Sequence, residues 1–199
     1  MLIIHHRRNT IALLRETNKN FGVEVDIRSF GSDLIVNHDP YIKELTFKTW
    51  LKEYKHKFLI LNIKEDGIEE KVLDLIYENQ IKDFFLLDQS FPSLIKNANL
   101  GESKTAVRVS EYESIETALS LSGLVDWVWV DFFTKFPLDS YKYAELKESG
   151  FKCCLVSPEL QGHSPLLISS LKSHMQKLNI KMDAVCTKEP ELWLLKKND

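Results

Sequence analysis

The amino-terminal part of the chain holds side chains that could act together on an anionic substrate. Histidine and arginine adjoin at His6-Arg7, two acids alternate in Glu24-Val25-Asp26, and a second histidine stands at His38. Histidine exchanges protons near neutral pH, and hard divalent cations prefer carboxylate oxygens. Arginine and lysine bind phosphate, and Lys64 follows as a further cation. These groups suit charge-stabilised chemistry on an anion if the fold brings them to one place.

The same residues stand where predicted strands end. Side chains alternate between the two faces of a strand, so Glu24, Asp26 and Arg28 share one face. Asn62 and Lys64 share a face of a later strand for the same reason. Enzymes built on barrels of parallel strands place their catalytic groups at the carboxyl ends of those strands.

Short apolar runs alternate with longer amphipathic stretches along the chain. The predicted strands are Leu2–His6, Phe21–Ile27, Leu34–Asn37, Phe58–Ile63, Phe84–Leu87, Thr105–Val109, Val125–Val130, Cys153–Val156 and Ala184–Cys186. The predicted helices are Asn9–Asn20, Thr46–Tyr54, Gly67–Asn79, Phe91–Ala98, Ser114–Ser120, Ser140–Ser149, Pro165–Leu178 and Pro190–Leu195. About eight strand–helix units with continuously apolar strands are typical of parallel βαβ architecture. This rhythm fits both a (β/α)8 barrel and a doubly wound open sheet.

Composition narrows the class of protein. The 199 residues predict one domain over 1–199, and no linker or low-complexity segment divides them. A net charge of -3 argues against a nucleic-acid partner. Three cysteines, Cys153, Cys154 and Cys186, make a poor disulfide framework and favour a reducing compartment. The apolar start Leu2–Ile4 is too short for a signal peptide or a transmembrane segment, so we expect a cytoplasmic protein.

Four motifs, in order, resemble those of the glycerophosphodiester phosphodiesterase family. They are His6-Arg7, Asn9-Thr10, Glu24-Val25-Asp26-Ile27-Arg28 and Val36-Asn37-His38-Asp39-Pro40, with Asp33 matching an aspartate midway in the hairpin. Weaker resemblance continues in Leu61–Lys64, Val156–Glu159 and Ala184–Leu192. The resemblance implies an α/β fold of the (β/α)8 TIM barrel type in a single domain.

It also implies a metal-dependent phosphodiester hydrolase. His6 and His38 would then act as the acid and the base, in an order left open, and His5 competes with His6 because a shift of one residue exchanges their faces. Glu24 and Asp26 would hold Mg²⁺ or Ca²⁺, with Asn62 as a neutral third ligand. Arg7 and Lys64 would bind the phosphate of a small-molecule, lipid or glycan phosphodiester.

Two departures from the family pattern bear on this reading. Asn62 stands where the family usually has glutamate, so the metal binds mainly with substrate, another acid such as Asp131 or Glu159 helps, or catalysis has been lost. Only Tyr41–Lys57 separates the hairpin from the next strand, with room for one helix in place of the family's inserted subdomain. The site would then be more open and would admit a bulkier phosphodiester.

Two alternative functions stay open. One is a catalytically silent barrel that binds a phosphorylated ligand or a protein partner, which Asn62 favours. The other is a lyase that stops at a cyclic phosphate. We interpret Trp127 and Trp129 as packing residues, Cys153-Cys154 as inert and His174 as exposed, and we consider a role for the Ser157–His163 loop in lining the pocket.

Overall fold

A computed structural model describes residues 1–194, so the predicted end of the last helix at Leu195 lies outside the described residues. The strands are β1 (Leu2–His5), β2 (Gly22–Phe30), β3 (Asp33–Val36), β4 (Phe58–Ile63), β5 (Phe84–Leu87), β6 (Ala106–Val109), β7 (Trp127–Val130), β8 (Lys152–Val156) and β9 (Ala184–Thr187). The α-helices are α1 (Ile11–Glu16), α2 (Phe47–Leu51), α3 (Glu69–Glu78), α4 (Phe91–Asn99), α5 (Ile115–Leu119), α6 (Ser140–Glu148), α7 (Leu167–Lys177) and α8 (Pro190–Trp193). A short 3-10 helix spans Pro158–Gln161.

The fold class is α/β, with the (β/α)8 barrel topology. Eight of the described strands run parallel, and β3 alone is added antiparallel, beside β2. By internal packing the chain divides into a first unit, His5–Ala106, and a second unit made of Met1–Ile4 and the described residues from Val107 onwards. A single domain over 1–199 stays a prediction.

In the first unit, β4 lies between β2 and β5, parallel to both, and places Asp26 opposite Asn62. One face of β2 carries Val23, Val25 and Ile27, which join the apolar core formed with α2 and α3. Because strand side chains alternate, the other face must carry Glu24, Asp26 and Arg28. The alternation of side chains along β2 therefore gives the strand one apolar face and one polar face, as the sequence predicts.

A hairpin extends this strand beyond its predicted end. β2 continues to Phe30 and pairs with β3, with Ile27 opposite Val36 and Phe30 opposite Asp33. Gly31 takes a φ of 63° at the turn, a conformation that glycine adopts without steric cost. Between β3 and β4, α2 is the one helix that the structure contains. The absence of an inserted subdomain, predicted from the short Tyr41–Lys57 segment, is confirmed.

Helix α1 is shorter than the predicted Asn9–Asn20. Thr10 caps its start by accepting a hydrogen bond from Leu13 N at 3.2 Å, and the helix ends at Glu16. Asn18 bonds to the backbone of Asn20 in the turn that leads into β2. Side chains of this type compete with helical hydrogen bonds, which explains why the helix stops before them.

In the second unit, β8 lies between β7 and β9 and runs parallel to both. Trp127 and Trp129 on β7 are buried, as expected for packing residues. The three cysteines are buried and form no disulfide within residues 1–194. Burial raises the pKa of Cys153 to about 12, so its thiol stays protonated and unreactive. His174 is exposed on α7, as predicted.

Among residues 1–194, none of the helices combines the length and the apolar content that crossing a bilayer requires.

A hydrogen bond from one indole side chain connects helix α2 to the loop after β1. Trp50 is fully buried, stacks on Phe47 and Tyr54, and donates from Nε1 to the Arg8 carbonyl oxygen at 2.8 Å. Replacing Trp50 with Phe removes the donor and leaves that carbonyl without its partner. We expect the free energy of unfolding to fall by about 1–3 kcal/mol in urea titrations.

The matched control is Tyr141→Phe, which removes a hydroxyl from an exposed ring on α6. It should change the free energy of unfolding by less than about 0.5 kcal/mol. Equal stability of the Trp50 variant and wild type would contradict a structural role for the indole bond.

Candidate active site

Two buried carboxylates on β2 form the centre of the candidate site. Glu24 is 1% exposed and Asp26 is fully buried, and both lie on the strand face that is turned away from the helical core. Burying like charges side by side is unfavourable unless donors and cations surround them. Neighbouring segments of the first unit supply those groups.

The loop after β1 contributes backbone and side-chain donors. Arg7 has a φ of 49°, and its backbone N–H donates to Glu24 Oε2 at 2.6 Å. Its side chain, 41% exposed, places Nε 3.4 Å from Asp26 Oδ2. Arg7 therefore reaches both carboxylates and keeps part of its guanidinium in solvent.

Asn9 is a site residue whose role was not predicted. Its Nδ2 donates to Asp26 Oδ2 at 2.8 Å, and its Oδ1 accepts from the Asp26 backbone N–H at 3.0 Å. The sequence analysis used Asn9 only as part of a motif at a helix start. The two hydrogen bonds join segments that are 17 residues apart in the sequence, so no local sequence pattern could predict them.

Strand β4 contributes an amide and a cation. Asn62 is buried, and its Nδ2 donates to Glu24 Oε1 at 2.8 Å. Lys64 follows the end of β4 and places Nζ 3.2 Å from Asp26 Oδ1 and 3.5 Å from Asp88 Oδ2. The structure thus brings Asn62 and Lys64 to the same carboxylate pair from the neighbouring strand.

Of the two adjacent histidines, His6 lies against the acidic pair. Its Nε2 is 3.9 Å from Glu24 Oε2. His5 is buried and has different neighbours. Its ring centre lies 5.0 Å from that of Phe21, and its Nδ1 lies 3.1 Å from Arg8 NH2. Burial, followed by the charge of Arg8, lowers the pKa of His5 to about 4.

His38 stands at the end of the hairpin and contacts a different partner. Its Nδ1 lies 2.9 Å from Asp39 Oδ1, and its side chain is 42% exposed. Arg28 fixes the backbone there, since its Nε donates to the His38 carbonyl and its NH1 to the Lys64 carbonyl, at 2.9 and 3.0 Å. Arg28 therefore joins the His38 backbone to the end of β4. No direct contact links the His38 imidazole to Glu24 or Asp26 in the described part of the chain.

The surroundings of Glu24 favour its neutral form. Burial raises the pKa of this carboxyl to about 7, and the negative charge of Asp26 acts in the same direction. The hydrogen bonds from Arg7 and Asn62 oppose the shift without cancelling it. Glu24 can therefore exchange a proton near neutral pH.

The oxygen donors of the site fit a hard divalent cation. The described residues contain no cluster of three His, Cys, Asp or Glu side chains that could hold a metal ion. The third candidate donor here is the amide of Asn62. Asn62 Oδ1 is buried and accepts no hydrogen bond within residues 1–194, and the same is true of Asp26 Oδ1. Two carboxylates with an available amide oxygen match the donor types that Mg²⁺ and Ca²⁺ take.

Other acids suggested from sequence have partners in their own unit. Asp131 accepts from Arg108 NH1 at 2.9 Å, and Glu159 accepts from Thr187 Oγ1 at 2.6 Å. Asp33 is exposed at the start of β3, and no hydrogen bond or ion pair involves its side chain in the described residues. A pocket-lining role for the Ser157–His163 loop stays a prediction.

The fold and this cluster define an α/β barrel with a buried acid pair, two cations and a histidine at strand ends. No protein-family model and no curated protein sequence matches the chain. A glycerophosphodiester phosphodiesterase from Agrobacterium tumefaciens has the same fold, with a TM-score of 0.64 and 13% identity over 97% of this chain and 97% of that one. A glycerophosphoryl diester phosphodiesterase from Parabacteroides distasonis gives 0.65 and 14% identity over 96% and 84%. The predicted barrel is confirmed by these likenesses.

The neutral His5 predicts a specific acid sensitivity. Below pH 6.5 the unfolded chain binds a proton at this residue that the folded chain takes up only near pH 4, so acidification favours unfolding across that window. His5→Gln should remove this contribution. We expect it to flatten the fall in the free energy of unfolding between pH 6.5 and 4 by about 1–2 kcal/mol, allowing for partial solvent screening.

His174→Gln is the matched control, because that histidine is exposed and should leave the profile unchanged. If the free energy of unfolding of wild type and of His5→Gln depended on pH in the same way, His5 would take up its proton at the same pH in the folded and the unfolded chain, which would contradict the prediction.

The two bonds of Asn9 predict a stability cost. Asn9→Ala leaves the buried Asp26 carboxylate and its backbone N–H each short of one partner, so the free energy of unfolding should fall by about 1–3 kcal/mol. Chemical denaturation measures this, with the exposed Asn99→Ala as the control. A loss no larger than that of the control would show that water replaces the Asn9 amide.

Proposed function

We propose that this protein is a metal-dependent phosphodiesterase that cleaves a glycerophosphodiester-like bond. The observation that carries the proposal is the convergence of His6, Arg7 and Lys64 on the buried pair Glu24 and Asp26. The fold likeness to the two phosphodiesterases described above supports it. An acid pair, two cations and a histidine are the groups that phosphodiester cleavage needs.

In this proposal Arg7 and Lys64 bind the phosphate. Arginine presents a planar fork of donors to phosphate oxygens, and lysine acts as a point charge. Each cation touches Asp26 from a different side, with Arg7 near Oδ2 and Lys64 near Oδ1. Asp26 thereby holds both cations in place while the exposed part of Arg7 stays available to a ligand.

His6 and His38 exchange the protons. One takes the proton of the attacking substrate hydroxyl or water as the new bond to phosphorus forms, and the other gives a proton to the leaving oxygen as its bond breaks. Asp39 at Nδ1 orients the His38 ring and leaves Nε2 for the substrate. Glu24 Oε2 lies 3.9 Å from His6 Nε2, so the ionised form of this carboxyl would favour a protonated imidazole.

Glu24, Asp26 and Asn62 would hold the divalent cation, Mg²⁺ or Ca²⁺. When bound, such an ion neutralises charge that develops on the phosphoryl oxygens. The three side chains come from the adjacent strands β2 and β4, where Asp26 and Asn62 are direct neighbours.

The substrate we propose is a phosphodiester larger than a glycerophosphodiester, such as one with a lipid or glycan group. The support is the connection between β3 and β4, in which α2 is the one helix. Without an inserted subdomain there, the hairpin that carries His38 is open to solvent, and His38 keeps 42% of its side chain exposed.

Histidine variants test the catalytic assignment. His6→Ala and His38→Ala should each lower turnover of a phosphodiester such as bis(p-nitrophenyl) phosphate by roughly 10²- to 10⁴-fold. Circular dichroism should show an intact fold, and the exposed His174→Ala should retain full activity. Turnover that survives unchanged in both site variants would refute the assignment.

A silent barrel that binds a phosphorylated ligand is the second candidate, and Asn62 favours it because an amide adds no charge to hold a metal. Wild-type protein without turnover on a panel of phosphodiesters, but with calorimetric binding of a phosphate ester, would establish it. Phosphorus NMR of the products separates hydrolysis from a lyase, since only a lyase stops at the cyclic phosphate.

A further inference from the structure

We infer that the site binds its divalent cation and its anionic phosphodiester as a coupled pair, each weakly in the absence of the other. This inference rests on the proposed function, because it concerns the same groups. It goes beyond that function by stating how the two ligands depend on each other: a stable complex forms only when both are present.

The charges around Asp26 carry the argument. Lys64 Nζ lies 3.2 Å from one carboxylate oxygen, and Arg7 Nε lies 3.4 Å from the other. Lys64 also lies 3.5 Å from Asp88. The Asp26 carboxylate, which would hold the metal, therefore already has a cation beside each of its two oxygens.

A divalent cation alone would bring further positive charge beside Arg7 and Lys64, in a place where Asp26 and Glu24 are almost wholly removed from water. Its ligand Asp26 Oδ1 is also the oxygen nearest to Lys64. Repulsion between cations is strong at short range in a medium of low dielectric constant, so binding of the metal alone is opposed.

Asn62 does nothing to relieve this repulsion. Its Oδ1 is a buried oxygen without a hydrogen-bond partner in the described chain, so it can coordinate a cation, but it brings no charge. Its Nδ2 already donates to Glu24. The amide therefore provides a ligand for the metal without compensating the charge that the metal brings.

A phosphodiester monoanion supplies negative charge among these cations. Its phosphate oxygens could contact the metal, Arg7 and Lys64 together. Coupling between two ligands is reciprocal, so each should raise the affinity of the other by the same factor. Couplings of this kind are typically roughly 5- to 150-fold.

Calorimetry on the wild-type protein tests the coupling directly. Mg²⁺ is titrated with and without saturating dimethyl phosphate, and dimethyl phosphate is titrated with and without saturating Mg²⁺. Both affinities should rise by the same factor, of at least roughly fivefold. Affinities that do not respond to the second ligand, or tight binding of Mg²⁺ alone, would overturn the inference.

A pair of variants of equal size isolates the charge at position 62. Asn62→Glu should bind Mg²⁺ alone at least roughly tenfold more tightly than Asn62→Gln, and its coupling to dimethyl phosphate should be smaller. Asn99→Glu adds the same charge at an exposed position on α4 and should bind like wild type. Equal Mg²⁺ affinity in the two folded position-62 variants would contradict the inference.

Different results would refute the proposed phosphodiesterase function and the coupled binding. Turnover that depends on His6 and His38, without coupled binding, keeps the phosphodiesterase and removes this inference. Coupled binding without turnover supports the inference and removes the catalytic assignment. If the position-62 variants do not fold, the wild-type titrations still decide.

Discussion

The burial of two carboxylates side by side on β2 is the constraint around which this site is organised. Glu24 and Asp26 are separated by one residue and lose almost all contact with water. Such a pair is stable only when donors arrive from several directions. The backbone and side chain of Arg7, the side chain of Asn9 and the end of β4 each supply one or more, so these segments are held together by the pair they surround.

The backbone of Arg7 shows how this constraint decides local conformation. A residue other than glycine in the left-handed region costs on the order of 1–2 kcal/mol. Arg7 adopts it at a φ of 49°, and its N–H then reaches Glu24 at 2.6 Å. A hydrogen bond to a charged group contributes about 1.5–3 kcal/mol, enough to offset that strain. The hydrogen bond to the Glu24 carboxylate therefore explains this backbone conformation, and a local preference of arginine does not.

Much of this arrangement could be predicted from residue spacing. The two-residue period of β2 places Glu24 with Asp26, and the parallel order of strands brings Asn62 beside them. The choice between His5 and His6 depends on a register of one residue, which periodicity leaves open. The motif resemblance favoured His6, and His6 is the one that lies near Glu24.

Other features depend on contacts that no local pattern encodes. The amide of Asn9 meets Asp26, and Arg28 connects the His38 and Lys64 backbones, because the chain turns back on itself over long separations. Strand β2 extends to Phe30 because β3 pairs with it, and α1 ends at Glu16, before the turn in which Asn18 accepts a hydrogen bond from the Asn20 backbone. Apolar periodicity reports neither effect, since both arise from partner segments and side-chain hydrogen bonds.

The bond from Trp50 to the Arg8 carbonyl restricts how this barrel could acquire new architecture. The connection between β3 and β4 is a natural place for evolution or design to add a lid over the hairpin. Trp50 must nevertheless stay within hydrogen-bond distance of the Arg8 carbonyl, so residues added within α2 would disturb this bond. The exposed positions 40–44 lie upstream of the helix, and residues added there would leave the bond in place.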